Sequence, residues 1–551
     1  MAMPRVPRFV MPDRLPTFLA VGTLLSLVLA FGCGAPDVES TNDVHEMGPE
    51  MGPGVGSVAF STSCAEAAQP AFERAVASLH SFWFSEADEG FQRVAELDPD
   101  CAMAHWGRAM TLWGNPMTRA APSGARVEAA LEAVARARSL AEAATPREQM
   151  YIEAAAALYE GHPEVGHLQR MQAHEEAMRS LMEAHPDDSE AAIFYGRIVV
   201  GNAPPDDLTF SRQLHAAQVM EPLFQQQPEH PGLAHYLIHA YDAPPIAEKG
   251  LDAALRYADI APDAPHALHM PTHIFTRIGY WEESIELNAR SAAAEESPGA
   301  AVHPLDYMVY AHLQLGQDQA AGQVVDHARE LAAEVPGGLV SYNFAGLQAR
   351  YALERDRWDE AIRLEVSEGA PPFVAGVTRF ARALGAARSG DATGGEAEVR
   401  ELEVLRDRSR ADGDEYWATV VEVQRLAAAA WVAHARAQDD EALRLAREAA
   451  ELEGTVEKHP VTPGPLLPAS ELLGDLLLEL DRPGDALVAY EATLEQERNR
   501  ARAHFGAARA AEAAGNEPAA ERHFTALLEL LQDADPERPD RVAARRWADG
   551  G

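Results

Sequence analysis

Histidine is the residue type whose placement in this chain is most uneven. Of 21 histidines in 551 residues, His235 and His239 fall in the segment PGLAHYLIHAYD, and His266, His269 and His273 fall in PHALHMPTHIFTRIG. The two segments are in register: His235 to His269, His239 to His273 and Pro231 to Pro265 are each 34 residues apart. On a helix, side chains three or four positions apart share a face, so the pairs at i and i+4 can bring two imidazoles to one ion. A helix one period further on supplies more donors. Neutral imidazoles with a carboxylate suit zinc first, while copper, nickel and iron accept the same donors. Three ligands and an open position would let the metal acidify a bound water and support hydrolysis. Two other readings stay open, a groove that hydrogen-bonds a peptide or small molecule, and mutual packing of the rings. His235 is followed by Tyr236 and His269 by Met270, so there is no H-E-x-x-H and a zincin-type protease is not supported.

The elements that must position these residues are helices. Ala, Glu, Leu and Arg dominate and aromatics are only 7%, which favours helix over strand. The length exceeds what one compact core organises, so several domains or a repeat array are expected. A period is visible in small, large, then proline residues: Ala87, Phe91 and Pro99 share their spacing with Ala216, Met220 and Pro228, and Met178 with Pro186 repeats the second half. Gly279, Trp281 and Ser284, Gly316 with Ala320, Trp358 with Ala361 after Asp356, Ala486 with Tyr490, and Gly515, Ala520 and Phe524 mark further turns and second helices. These residues resemble the tetratricopeptide repeat, whose period matches the histidine spacing. The resemblance runs from about residue 65 to about 532 and implies an all-α helical-hairpin solenoid, a right-handed superhelix whose first helices line a concave groove. Stretches near 115 to 125, 201 to 208 and 455 to 468 interrupt the phase.

With Gly279 as the turn glycine, the repeat phase places His266, His269 and His273 on the groove face. With Gly316 in that role, His303, Asp306 and Tyr310 follow on the next repeat, and Asn343 and Arg350 on the one after. The expected metal set is therefore His235, His239, His266, His269, His273, His303 and Asp306, with Asp242, Tyr310, Asn343 and Arg350 as further groove residues. Asp306 or Asp242 could serve a metal-dependent enzyme as base. Pro271 should bend the helix or begin it, leaving His266 and His269 before it. His80, beside Phe82, Trp83 and Phe84, reads as interhelical packing.

The formal charge of −40 argues against nucleic acid and leaves metal ions, peptides or a protein partner as ligands. Residues 1 to 33 read as a signal peptide: Arg5, Arg8 and Arg14 precede an apolar run from Phe18 to Phe31. Leu29-Ala30-Phe31-Gly32-Cys33 resembles a bacterial lipobox, with Cys33 as the lipidated residue and Ala30 where leucine is preferred. Residues 34 to 60 read as a flexible acidic tether, 61 to 330 as the histidine-bearing solenoid, 331 to 455 as degenerate repeats, 469 to 532 as regular ones and 533 to 551 as a polar tail. An exported protein, periplasmic or attached to the outer membrane by a lipid anchor alone, follows. Cys64 and Cys101 would then meet an oxidising compartment and form either a disulfide or two buried thiols. The segments DPDCAMAHWG, HYLIHAYD and HALHMPTHIFTRIG resemble a subgroup of exported bacterial tetratricopeptide proteins, a resemblance that brings no reaction with it. The readings that result are a ligand-binding solenoid with a metal in its groove, an interaction scaffold, and a metal-dependent enzyme.

Overall fold

The computed structural model describes residues 54 to 335 and 341 to 550. The leader, Cys33 and the first part of the tether lie outside the described residues. Those described are α-helical throughout, with short 3-10 turns and no strand among them. Consecutive helices pack as hairpins and successive hairpins stack, a tetratricopeptide-like array. No described helix is long and apolar enough to cross a membrane.

The motif residues show why the hairpins form. Phe91, Met220 and Tyr490 are buried, and each presses on a glycine of a neighbouring first helix. A Cβ built on Gly107 would stand 2.2 Å from the Phe91 ring, and one on Gly196 would stand 2.7 Å from Met220 Sδ. The large residue of one helix thus requires a missing side chain on a neighbouring one. The turns repeat as well. Gly279 is left-handed at φ 78°, and Tyr280 N–H reaches back to Phe275 O at 2.8 Å, a Schellman-type helix end. Asp356 adopts the same hand at φ 53° where the glycine is missing, with Arg357 N–H bonded to Ala352 O. At helix starts Thr145 and Glu148 form a capping box, and Ser297 and Ser341 cap the helices Pro298–Gln314 and Tyr342–Leu353.

Three expectations about segments are corrected. The tether ends before residue 60, because Val55, Val58 and Phe60 are buried and Phe60 packs on Phe72, Trp106 and Tyr151. The polar tail contains a helix, Pro539–Ala548, held by Trp547 stacked on Phe524 at 5.1 Å and by an Arg538–Asp540 ion pair. The groove is not open: the phase-breaking stretch at 455 to 468 lies in it as a strap. Its Glu457 N–H bonds to Pro205 O, and Pro116 lies against Gly201, so the three phase-breaking stretches meet.

The array also closes on itself. Trp281 Nε1 donates to Asn499 O at 3.0 Å, Ala501 N–H to Gln314 Oε1 at 3.0 Å, and Asp535 N–H to Gly316 O at 2.9 Å. The last hairpins therefore sit on the turns of the middle ones. Gly279 is required there twice over, by its φ and because a Cβ would lie 2.5 Å from Asn499 Cβ.

Candidate metal centre

His235 and His239 lie on the helix Pro231–Tyr241. Pro271 divides the next first helix into Pro265–His269 and Pro271–Ile278, but Met270 between them stays helical and Met270 N–H still reaches His266 O. His266 and His269 are accordingly on a short helix, not a loop, and keep register with His273. His303 comes from Pro298–Gln314. These six rings form two sets. One ring nitrogen from each of His235, His239 and His266 lies within 4.8 Å of the others, and the same holds for His269, His273 and His303. His235, His269 and His273 are almost completely buried, while His266 and His303 are partly exposed.

The hydrogen bonds behind the rings decide what the front nitrogens can do. His235 Nδ1 lies 2.6 Å from His80 O, His269 Nδ1 lies 2.7 Å from Asn288 Oδ1, and His273 Nδ1 lies 2.8 Å from Asp242 Oδ2. Asn288 Nδ2 donates to Ser284 O, which leaves Oδ1 as the acceptor facing His269. All three acceptors demand a proton on Nδ1, so each Nε2 presents a lone pair. Yet Nε2 of His269 faces Nε2 of His273 at 3.1 Å, and Nε2 of His235 faces Nε2 of His266 at 3.2 Å. In the His269–His273 pair the two lone pairs repel unless a cation lies between them, whereas no partner behind His266 fixes its tautomer and a proton on its Nε2 also satisfies His235. Nitrogens about 2.0–2.1 Å from a tetrahedral zinc stand about 3.3 Å apart. His239 Nε2 and His303 Nδ1 complete the sets, each buried and without a hydrogen-bond partner.

Burial keeps the imidazoles neutral. It pushes His239 down to about 3, with His273 adding to the effect, and holds His235, His266, His269 and His303 well below 6.5. Asp242 is the local counter-charge. Burial would raise its carboxyl, but Lys458 and Arg277, then His273, hold it well below the usual range. It accepts from Arg277 Nε at 2.8 Å and Lys458 Nζ at 3.2 Å, with both side chains buried. Phe82 covers one side. Its ring stacks on His266 at 5.3 Å and meets His235 edge-on at 4.3 Å, from a backbone at φ 54° that a bulky residue rarely adopts.

The remaining expected ligands lie elsewhere. Asp306 is fully buried against Arg350 at 3.4 Å and Asn343 at 3.3 Å and joins neither histidine set, which corrects its place among the metal ligands. Asn343 and Arg350 hold the strap: Asn343 Nδ2 donates to Val461 O at 2.6 Å, and Arg350 donates to Pro465 O at 2.7 Å and Gly464 O at 3.2 Å. Tyr310 donates to Glu497 Oε2 at 3.3 Å and accepts from Arg500. With these partners, neither Asp242 nor Asp306 is left free as a general base.

Several participants were not anticipated. Tyr307, one place beyond Asp306, stands with its hydroxyl 3.4 Å from His273 Nε2 and donates to Thr462 O at 3.1 Å. Lys458 comes from the strap. His80 is more than packing: with His230 it clasps the buried Glu190 at 2.9 and 2.7 Å, which fixes the backbone carbonyl that holds His235. Its other nitrogen meets Tyr236 OH at 3.0 Å. The only signal in the sequence was the histidine beside three aromatics. Cys64 and Cys101 are joined as a disulfide, with Cα atoms 4.9 Å apart.

No protein-family model and no curated protein matches the sequence. Similar solved structures include the human IFIT1 dimer with m7Gppp-AAAA, at 11% identity and TM-score 0.39, covering 77% of this chain and 90% of that one. The APC/C hetero-tetramer Cut9-Hcn1 is 13% identical at TM-score 0.32, covering 88% and 96%. The P58(IPK) TPR domain is 14% identical at TM-score 0.20, covering 66% and 99%.

Proposed function

We propose that this protein is an extracytoplasmic tetratricopeptide-like solenoid that binds a transition-metal cation through the histidine centre. The observation that carries the reading is the His269–His273 pair, whose Nε2 atoms face each other at 3.1 Å while both Nδ1 atoms are engaged behind them. A cation satisfies those lone pairs, and the outer hydrogen bonds are the kind that orient imidazole ligands. Zinc is the first candidate for such neutral nitrogen donors, and copper, nickel and iron fit the same chemistry. The leader and lipobox-like end at Cys33 support export and a lipid anchor, and the Cys64–Cys101 disulfide accords with an oxidising compartment.

Elemental analysis of the purified protein, with and without His239→Ala and His273→Ala, tests the reading. Metal that copurifies or loads stoichiometrically and is lost from variants with unchanged circular dichroism supports it. A chain that takes up no metal, or variants that keep all of it, overturns it.

A scaffold for a peptide or partner protein is the second reading. The strap favours it, because Asn343, Arg350 and Tyr307 hold a non-helical segment through its backbone carbonyls, as a groove binds a peptide. A metal-dependent enzyme would need a base other than Asp242 or Asp306.

A further inference from the structure

The two histidine sets are built alike. Each combines an i, i+4 pair on one first helix with a histidine from the first helix of the next repeat: His235 and His239 with His266, then His269 and His273 with His303. Each has at least one ring anchored from behind and one ring with an unpartnered nitrogen. In the first set His235 is held by the His80 carbonyl and His239 Nε2 is orphaned; in the second, His269 and His273 are held by Asn288 and Asp242 and His303 Nδ1 is orphaned. The repeat has therefore duplicated a three-imidazole cradle one hairpin along the array. The nitrogens form two triads and not one group of six, so an ion in the first triad leaves the lone pairs of His269 and His273 facing one another, and an ion in the second leaves His239 Nε2 without a partner.

The triads also abut. Ring centroids are 5.9 Å apart between His239 and His273 and 6.1 Å between His266 and His269, across the sets. Within the sets, His239 to His266 is 6.5 Å and His273 to His303 is 6.3 Å. Those are the longest separations inside a set; the other within-set pairs lie at 4.3 to 5.0 Å, so each triad is compact and the two adjoin at a distance no greater than their own span.

We infer that the centre is a paired one, holding two transition-metal ions side by side, each on three imidazoles with an open position toward the partly exposed edge at His266 and His303. This rests on the metal-binding reading and goes beyond it. The ligands are all neutral, and the nearby Asp242 is already matched by Lys458 and Arg277, so the pair would carry its charge largely uncompensated by the protein. A small anion or hydroxide shared between the open positions is the ligand class that such a pair attracts.

Stripped full-length protein would be loaded with zinc, freed of excess and assayed for metal per chain. Two ions are expected, falling to one in His239→Ala and one in His303→Ala, because each variant dismantles a single triad. One ion in the unaltered protein overturns the pair but leaves metal binding standing; none overturns both. Copper(II) loading of the unaltered protein needs no variant. At full loading the electron paramagnetic resonance intensity should fall well short of the copper content, because neighbouring ions couple. An undiminished, unbroadened signal at two equivalents overturns the pairing.

Discussion

Asp242 concentrates the electrostatics of the centre in one side chain. It orients His273 and neutralises Arg277 and Lys458, all of them buried. Asp242→Asn keeps the shape, removes the charge, leaves Lys458 without its carboxylate partner and leaves Arg277 paired only with Glu457. We expect a loss of about 3–5 kcal/mol in urea unfolding and a weakening of metal affinity by about 10- to 100-fold by calorimetric titration. A variant as stable and as tight as the unaltered protein would show that Asp242 has no such part. A second prediction concerns His174, remote from the centre, buried under Trp113 with Nδ1 bonded to Ala154 O at 2.7 Å. Burial lowers its pKa from 6.5 to about 4. The unfolded chain then binds the proton more readily, so its contribution to stability is complete above pH 6.5 and is lost as pH falls toward 4. His174→Gln should flatten the decline in unfolding free energy between pH 7 and 5 by about one proton's worth of slope, and an unchanged slope would contradict it. At this scale the sequence was informative where identity and spacing coincide. His235, His239, His269 and His273 stand out because a repeat period separates identical residues. Their anchors do not: a backbone carbonyl at His80 and an amide at Asn288 carry no signature, since they act through contacts made only once the helices have packed.

Helix packing here depends on absent side chains as much as on present ones. Phe91, Met220 and Tyr490 were readable as the large residues of a repeating pattern, but the glycines that receive them were not, because the partner lies on the following helix for Phe91, on the preceding one for Met220 and on both for Tyr490. Gly107→Ala therefore tests the packing directly. The new methyl would collide with the Phe91 ring, and overpacking of this kind costs about 1–3 kcal/mol, visible as a lower midpoint in thermal unfolding. An unshifted midpoint would mean that the ring has room to retreat. The strap is the element that the sequence concealed most fully. Residues 455 to 468 have no apolar periodicity and read only as an interruption, and their position comes from carbonyl groups that Arg350, Asn343 and Tyr307 collect. Asp306 was misplaced for the same reason. Its helix position points inward as expected, yet an arginine one repeat on reaches it first.

The whole array is more tightly tied than a linear stack. A repeat protein that contacts only its neighbours can unravel from either end, whereas here the closing hairpins rest on Gly279 and Gly316. The N-terminal side carries its own tie in Cys64–Cys101. Reducing that bond should lower stability by about 2–4 kcal/mol, measured by urea unfolding with and without reductant. Equal curves would show that the packing of the first hairpins already fixes that end. The repeat pattern revealed that hairpins exist and in what order, because that information is local. Closure is not local, and it depends on surfaces such as Trp281 against Asn499 that lie more than two hundred residues apart.

Lys458 and the strap around it arrive late. The imidazoles come from residues 235 to 303, and the segment that seals them against Tyr307 and Asp242 lies some 150 positions downstream. During synthesis or secretion, the helices that bear the rings emerge and can stack well before their cover exists. For that interval the nitrogens are open on every side, and after it only the edge at His266 and His303 stays partly exposed. A metal bound as proposed would therefore meet its ligands most freely before residues 455 to 468 are in place, and would exchange afterwards through that narrower edge.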